Sequence, residues 1–343
     1  MRAAMVADLR TNEGYVMLKA AMPLLVLALA AAQGASAADD WVVASGADTC
    51  SVSSLDFADS LHGFAAGSFN CGLLTEDGGL TWTPISVVPN HGQSLNWAHA
   101  ASPDDLYAAR LGLYHSTDRG LTWAEVGSLS TQSGGSFFDV HVFDTDHIVG
   151  IKGGQIWSTT DAGANWTLAF PGQQDMNFHE LNFPTDKIGY ATGGVMREAG
   201  GIGTVLRTDD GGANWSQLDF QFGKITAASF VDADHGMLST QDQGMFTTTD
   251  GAQSWTALPS APPGLVNQLK HRDAQHWYAT TYTGCVYESR DAGLTWEQGF
   301  CDDRQRALAS LSLRGGAAVA GGNGGLVIYE NRIFVDGFEA ARR

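Results

Sequence analysis

Basic residues are scarce in this sequence: 19 Lys and Arg stand against 37 Asp and Glu, giving a formal charge of −18. A surface so acidic repels phosphate backbones and anionic headgroups, so it excludes nucleic acid and acidic membrane surfaces as partners. Proline is sparse as well, at 9 residues, and runs of Leu, Glu and Lys that could sustain long helices are missing. Apart from one short stretch near the N-terminus there is no apolar run, so no membrane span is expected. Only 4 cysteines occur, too few for a disulfide-dense scaffold and enough for two staples. Against these lacks stand 42 glycines and 10 tryptophans, spread evenly, which is the composition of many short strands joined by tight turns. A hydrophobic fraction of 44% supplies a real core and excludes a disordered chain.

The one apolar stretch has the layout of a secretory signal. Lys19 precedes a run from Pro23 to Ala32, and Ala35-Ser36-Ala37 supplies a small-residue cleavage pattern. Residues 1–37 are expected to be a cleaved signal peptide with Met17 as the true start. The mature chain is then secreted or periplasmic, where disulfides persist.

An internal repeat decides the fold. The segments T-E-D-G-G-L-T-W (Thr75–Trp82), S-T-D-R-G-L-T-W (Ser116–Trp123) and T-T-D-A-G-A-N-W (Thr159–Trp166) are variants of one box. So are T-D-D-G-G-A-N-W (Thr208–Trp215), T-T-D-G-A-Q-S-W (Thr248–Trp255) and S-R-D-A-G-L-T-W (Ser289–Trp296). Their aspartates, Asp77, Asp118, Asp161, Asp210, Asp250 and Asp291, recur about every forty to fifty residues. In a hairpin turn such an Asp accepts backbone N–H bonds and the Gly takes a positive φ. The Trp drives its ring into the apolar layer between sheets. These tryptophans are Trp82, Trp123, Trp166, Trp215, Trp255 and Trp296. In the fifth box Ala252 replaces Gly, so that turn is expected to be looser or differently shaped.

Each box closes a unit of four short strands, with second strands such as Gly63-Phe64-Ala65-Ala66-Gly67 and Gly189-Tyr190-Ala191-Thr192-Gly193. Four strands in about forty residues make a propeller blade. A seventh unit is degenerate: Ala307–Leu313 gives its first strand, Ala317–Gly321 its second, and Gly325–Asn331 aligns with Gly112–Asp118. It has no Trp of its own. Trp41-Val42-Val43 resembles the strands that follow the boxes and is expected to complete this blade, with Ile333-Phe334-Val335 as the rival. The expected architecture is an all-β, seven-bladed β-propeller over residues 38–332, followed by a tail at 333–343.

On these boxes, their spacing and the Gly-Tyr-Ala second strands, the chain resembles the BNR, or Asp-box, propellers of the photosystem II stability/assembly factor-like family. It is similar in the same way to sialidase- and sortilin-type BNR propellers. The resemblance covers roughly Asp40 to Arg332 and implies an assembly or binding role outside the cytoplasm. In the photosynthetic members it implies a basic patch facing the client, which the few arginines of this chain do not provide. The tail Ile333–Glu339 is similar to an I-F-x-D-G-F-E ending of some exported bacterial proteins.

Asp boxes also occur in sialidases and xyloglucan-active enzymes, so a glycosidase or lectin is the alternative reading. A sialidase needs three arginines converging on a carboxylate. Here Arg110, Arg197, Arg207 and Arg272 are scattered, and a xyloglucanase of two facing propellers needs a longer chain. No catalytic residue and no cofactor is therefore expected, and the partner is an unidentified protein or glycan bound by a monomer.

The polar residues with most to say lie on the first strands of the blades. One aligned column reads Asp56, His99, His141, Asn182, Ser229, Lys270, and the column two residues earlier reads Ser54, Trp97, Asp139, Glu180, Ala227, Gln268. Period-two alternation turns both toward the axis. Asp56, Trp97, His99, Asp139, His141, Glu180, Asn182 and Lys270 are the ligand candidates; the bland alternative is a water-filled polar channel. No metal-spacing motif is present. Asn90–Gln93 and the insertion around Met196-Arg197-Glu198 are further loop candidates.

The repeat register also pairs the cysteines. Cys71 and Cys285 each open a third strand, and Cys301 and Cys50 follow the closing strands headed by Trp296 and Trp41. Cys50–Cys71 and Cys285–Cys301 are expected as equivalent bonds on the face opposite the boxes.

Overall fold

A computed structural model describes residues 41–48, 50–87, 94–127, 129, 135–173, 175–195, 201–313 and 318–330, together with the backbone of 333–335 and 338–340. The expected signal peptide and the loop candidates at 90–93 and 196–198 lie outside the described residues.

The strands form seven antiparallel sheets of four, each a meander in chain order except the last. Blade one comprises Val52–Phe57, Gly63–Gly67, Cys71–Thr75 and Thr83–Ser86. The first strands of the next five blades are Trp97–Ala100, Phe137–Val142, Met176–Asn182, Ile225–Phe230 and Val266–His271. Blade seven consists of Leu308–Ser312, Val319–Gly322 and Val327–Glu330, and its fourth strand is Trp41–Val43 from the other end of the chain. Trp41 pairs with Glu330 and Val43 with Ile328, so the N-terminal strand closes the ring and removes the open edge. The rival segment Ile333–Val335 pairs instead with Phe338–Ala340 in a separate hairpin. No helix among the described residues is long and apolar enough to cross a membrane.

The boxes are built alike. In the first, Asp77 accepts the Thr81 N–H at 2.9 Å and the Thr81 hydroxyl at 2.6 Å, while Thr75 Oγ1 accepts the Gly79 N–H at 2.9 Å. Two consecutive residues in every box take positive φ, including the non-glycines Arg119, Ala162 and Ala292. The fifth box does not loosen as expected. Ala252 adopts φ 66°, its N–H reaches Thr248 Oγ1 at 3.0 Å, and Asp250 accepts from Ser254 as its counterparts do. The hydrogen bonds hold the left-handed turn although alanine disfavours it.

Each box Trp lies against the preceding blade. Trp123 meets Phe64 of blade one at 5.7 Å, Trp255 packs with Tyr190 and Val205 of blade four, and Trp82 is buried with Val319 and Val327 of blade seven. Trp41 fills the same slot for blade seven, edge-on to Tyr278 of blade six at 6.5 Å. Second strands such as Gly63–Gly67 are wholly buried, and their leading glycine is dictated by contact. A Cβ on Gly189 would sit 2.3 Å from the Phe183 ring.

Both disulfides are present, with Cα separations of 5.8 Å for Cys50–Cys71 and 4.0 Å for Cys285–Cys301. They are not equivalent. Cys285 and Cys301 face each other across the third and fourth strands of one blade. Cys50 instead sits in the passage from the closing strand into blade one and ties it to that blade's third strand. The bond at Cys285 braces a blade; the bond at Cys50 anchors the closure.

Candidate functional site

The first strands surround the axis, and each is an edge strand whose outward N–H groups lack a backbone partner in the next blade. Side chains take that place, always from one blade to the following one. Ser54 Oγ accepts the Ala98 N–H at 3.1 Å, and Asp139 Oδ2 accepts that of Leu181 at 2.6 Å. Glu180 Oε2 accepts from Ala228 at 2.8 Å, and Ser310 Oγ accepts from Leu55 at 2.9 Å, closing the circle. Two residues further on, Asp56 accepts from Ala100 and Asn182 from Phe230, each at 3.3 Å.

A third set of clasps depends on a feature with no sequence signature. The pairing of first and second strands slips by one residue at Val52/Ser54, Phe137/Asp139, Phe178/Glu180 and at the matching points of blades five to seven. Such a bulge re-aims the extra side chain. His179 Nε2 thereby donates to the Ile225 carbonyl at 3.0 Å, and Asn267 Nδ2 donates to that of Leu308 at 2.8 Å.

Inside this ring lies a channel of about 450 Å³. Of the expected candidates, Asp56, Trp97, His99, Asp139, Glu180 and Lys270 line it; His141 and Asn182 do not. His141 packs instead between Phe143 at 4.4 Å and Phe183 at 4.6 Å, and burial pushes its pKa down to about 3. The bulge residues Ser53, Phe138 and His179 join the wall, and the alternation pattern missed them.

The channel chemistry is largely bound up in the clasps. Asp56 also meets His99 Nδ1 at 2.6 Å and accepts from Ser312, and Asp139 accepts from the Val140 N–H at 2.9 Å. Burial pushes Asp139 up to about 6, against the pull of the Leu181 N–H and Lys270. It pushes Glu180 up to about 7, with Lys270 again opposing. His271 hydrogen-bonds Ser229 at 2.9 Å and is held down at about 4 by burial. No group of His, Cys, Asp or Glu able to hold a metal ion occurs among the described residues.

The two ends of the ring differ in charge. At the box end every described loop adds carboxylates to the box aspartates, among them Asp59, Asp105, Asp144, Asp232 and Asp273. Several cap their own turn: Asp232 accepts the N–H groups of Asp234 and His235 at 2.8 Å. At the opposite end the described loops carry Asp48, Asp175, Asp219, Asp242, Asp302 and Asp303 against Arg110, Lys224, Arg304 and Arg306, so this end is only mildly acidic. This end displays Phe69 (85% exposed, φ 57°), Tyr282 (52%) and Leu111 (44%), and Phe138 (43%) stands at the channel wall. Exposed leucines at the box end, such as Leu121, each lie among box carboxylates.

The photosynthesis system II assembly factor YCF48 family matches residues 35–174 and 171–312. The photosystem II assembly lipoprotein Ycf48 of Synechococcus sp. (strain CC9902) is 26% identical over 170 residues. That match covers 47% of this chain and 46% of the relative, so it spans less than half the length of the curated protein. Among solved structures, a YCF48 bound to D1 peptide superposes with a TM-score of 0.70 at 18% identity, over 86% of this chain and 97% of that one. YCF48 from Cyanidioschyzon merolae gives 0.68 at 18% identity, over 85% and 98%. The GH74 xyloglucanase from Xanthomonas campestris gives 0.53 at 14% identity, over 79% of this chain and 50% of its own. At these identities the superpositions establish the fold, and the family match carries the assignment: the chain belongs to the photosynthesis system II assembly factor YCF48 family.

Proposed function

We propose that this protein is an exported, non-catalytic scaffold that docks a segment of a client protein on the end of the ring opposite the Asp boxes. The observation that carries the reading is the division of the surface. The box end is strongly acidic and its turns are closed by their own hydrogen bonds, whereas the opposite end is only mildly acidic and displays Phe69, Leu111, Phe138 and Tyr282. Phe69 holds a left-handed φ of 57° with its ring in solvent, an arrangement costly enough to point to a role. Family membership supports an assembly role, and a solved relative is bound to a peptide. Export is supported by two disulfides, which need an oxidising compartment.

The glycosidase reading gains nothing from the site. Arg110 is held by the Ser94 carbonyl, Arg207 by Tyr190 and Asp209, and Arg272 by Glu330, so these three arginines face different partners in different blades.

Photo-crosslinking tests the docking face. A benzophenone side chain at 69 or 282, in cells exporting the chain, should give a discrete protein adduct, and one at 121 on the box end should not. Adducts from 121 alone, or from none of the three, would refute the assignment.

A further inference from the structure

The two disulfides differ in what they join, yet each stands at the foot of an exposed aromatic. Cys71 follows Phe69-Asn70 and Cys285 follows Tyr282-Thr283-Gly284, both in the turn between second and third strands. Among the described turns of this kind no other displays an aromatic. Blade two has Leu111, blade three Gly153-Gly154, blade seven Asn323-Gly324-Gly325, and residues 241–243 of blade five are polar. The residue after each partner cysteine touches the same turn. The Ser51 carbonyl, next to Cys50, accepts the Ser68 N–H at 3.0 Å, and the Asp302 N–H, next to Cys301, donates to the Gly284 carbonyl at 2.9 Å. Phe69 and Asn70 hold φ of 57° and 61°, the conformation that blade seven gives to Gly324 and Gly325. A bulky ring is thus held in solvent where glycine is the easier choice.

Blade seven lies between these two turns and presents only its glycine turn. The three are joined through the segments that enter the blades. A Cβ on Gly284 would sit 2.4 Å from the Arg306 carbonyl oxygen, and Arg306 Nη1 donates to the Gly324 carbonyl at 3.3 Å. The Gly324 N–H in turn donates to Ser51 Oγ at 2.9 Å. The strip therefore runs from Tyr282 through Arg306, Gly324 and Ser51 to Phe69. Asp302 holds the Arg306 guanidinium at 2.7 and 3.1 Å and neutralises it. Asn323 is exposed on the glycine turn, and a carboxamide can both donate to and accept from a passing main chain.

We propose that this strip is a two-point clamp for an extended, apolar and non-acidic polypeptide segment, gripped by Phe69 and Tyr282 with the blade-seven turn as the floor between them. The inference rests on the docking reading and names its anchors and its occupant. Rings fixed in advance lose little freedom on binding, which is what a braced turn provides. A floor of glycine lets a main chain approach closely. Charge selects the occupant: the one arginine on the strip is already paired, and an acidic segment meets a chain of net charge −18.

The test titrates the full oxidised chain at physiological salt with rhodamine-labelled peptides of Gly-Leu repeats, of increasing length and flanked by lysine pairs, read by anisotropy. Affinity should rise about tenfold or more once a peptide spans both rings. Phe69→Ala and Tyr282→Ala should each return the long peptide to the affinity of the short one, and the double variant should abolish saturation. Leu111→Ala and Phe138→Ala, on the other side of the same end, should change nothing, and glutamate-flanked peptides should not saturate. All four side chains are exposed, so each variant should fold as the parent does. Absence of saturation by the lysine-flanked peptides, affinity that does not grow with length, or affinity that survives either aromatic substitution would overturn the clamp. So would an equal loss from Leu111→Ala or Phe138→Ala, or saturation by the glutamate-flanked peptides. Any of these results beside discrete cellular adducts from 69 and 282 leaves the docking face standing and removes the clamp. Peptide binding as expected without cellular adducts removes the client reading alone.

Discussion

Closure by Trp41–Val43 makes the stability of the whole ring depend on a side chain close to the chain's N-terminal end. Trp41 is 7% exposed and packs on Tyr278 within a layer that includes Val286, Leu308 and Ile328. Truncation to alanine removes this ring from the seam between blades six and seven and leaves a cavity the blades cannot fill. Buried Trp→Ala changes cost about 3–5 kcal/mol. For a domain of this size each kcal/mol lowers Tm by about 2–4 °C, so Trp41→Ala should melt roughly 10 °C below the parent. The backbone pairs to Val327–Glu330 do not depend on the indole, so the variant should still fold. The control is truncation after Arg332. The tail strands pair with each other, and this change should move stability by less than about 0.5 kcal/mol. Differential scanning calorimetry of the three oxidised chains decides the matter. A shift below about 3 °C for Trp41→Ala, or an equal loss on removing the tail, would refute closure through the indole.

The two disulfides should separate by what they hold. Each closes a loop worth about 3 kcal/mol by chain entropy, but only Cys50→Ser/Cys71→Ser should speed proteolysis between Ala44 and Cys50; equal cleavage in Cys285→Ser/Cys301→Ser would contradict the anchoring role. Glu180 titrates higher in the folded state than unfolded, so the native ring binds this proton more tightly and its contribution is lost as pH rises from about 4.5 to about 7. Glu180→Gln should therefore gain stability relative to the parent between pH 5 and pH 8 in urea titrations, and a gap that stays constant or reverses would show that Glu180 is not buried at a cost. The box alanines weigh two effects: exposed Ala162→Gly relieves about 1–2 kcal/mol of left-handed strain against about 0.5–1 kcal/mol of glycine entropy, and should stabilise. Ala252→Gly also deletes a methyl that is 0% exposed beside Phe246, worth about 0.8 kcal/mol more, and should come out near neutral; a larger gain at Ala252 than at Ala162 would refute this weighing.

Much of this was legible in the sequence because the Asp box is a local device. An Asp that must reach the N–H four residues on, and a Trp one position later, can exist only at fixed spacing, so the blades and their register follow from Asp77 to Asp291. Trp41 was legible for the same reason, as an indole missing from one end of the chain and surplus at the other. The channel was less so. Alternation placed Asp56, Asp139 and Glu180 on the axial side, but it also placed His141 there, because it counts faces and not the neighbours that cover them. Toward the box end Phe143 and Phe183 crowd that face. The bulges that bring Phe138 and His179 to the wall leave no mark in composition. The left-handed φ of Arg119 and Ala252 is imposed by the turn's hydrogen bonds, which override the residue's own preference.

The clasps give a structural reason for carboxylates to line the axis. Blades splay outward from the centre, so adjacent first strands cannot pair backbone to backbone, and their N–H groups would otherwise be left unsatisfied beside the channel. Short acceptors bridge the gap: serine at Ser54 and Ser310, and carboxylate or carboxamide at Asp139, Glu180 and Asn182. A carboxylate used this way has a second oxygen to place. Asp139 directs its other oxygen to Val140, and Asp56 directs its own to Ser312. Glu180, with one more methylene and Ala227 in the intervening blade, has no such partner for Oε1. The same residue thus carries a structural oxygen and an unoccupied one, and Glu180→Gln and Glu180→Ala must part company. The first removes a charge that is buried at a cost and keeps the seam to blade five. The second also leaves the Ala228 N–H without an acceptor, a loss of about 1–3 kcal/mol that stability measurements would register.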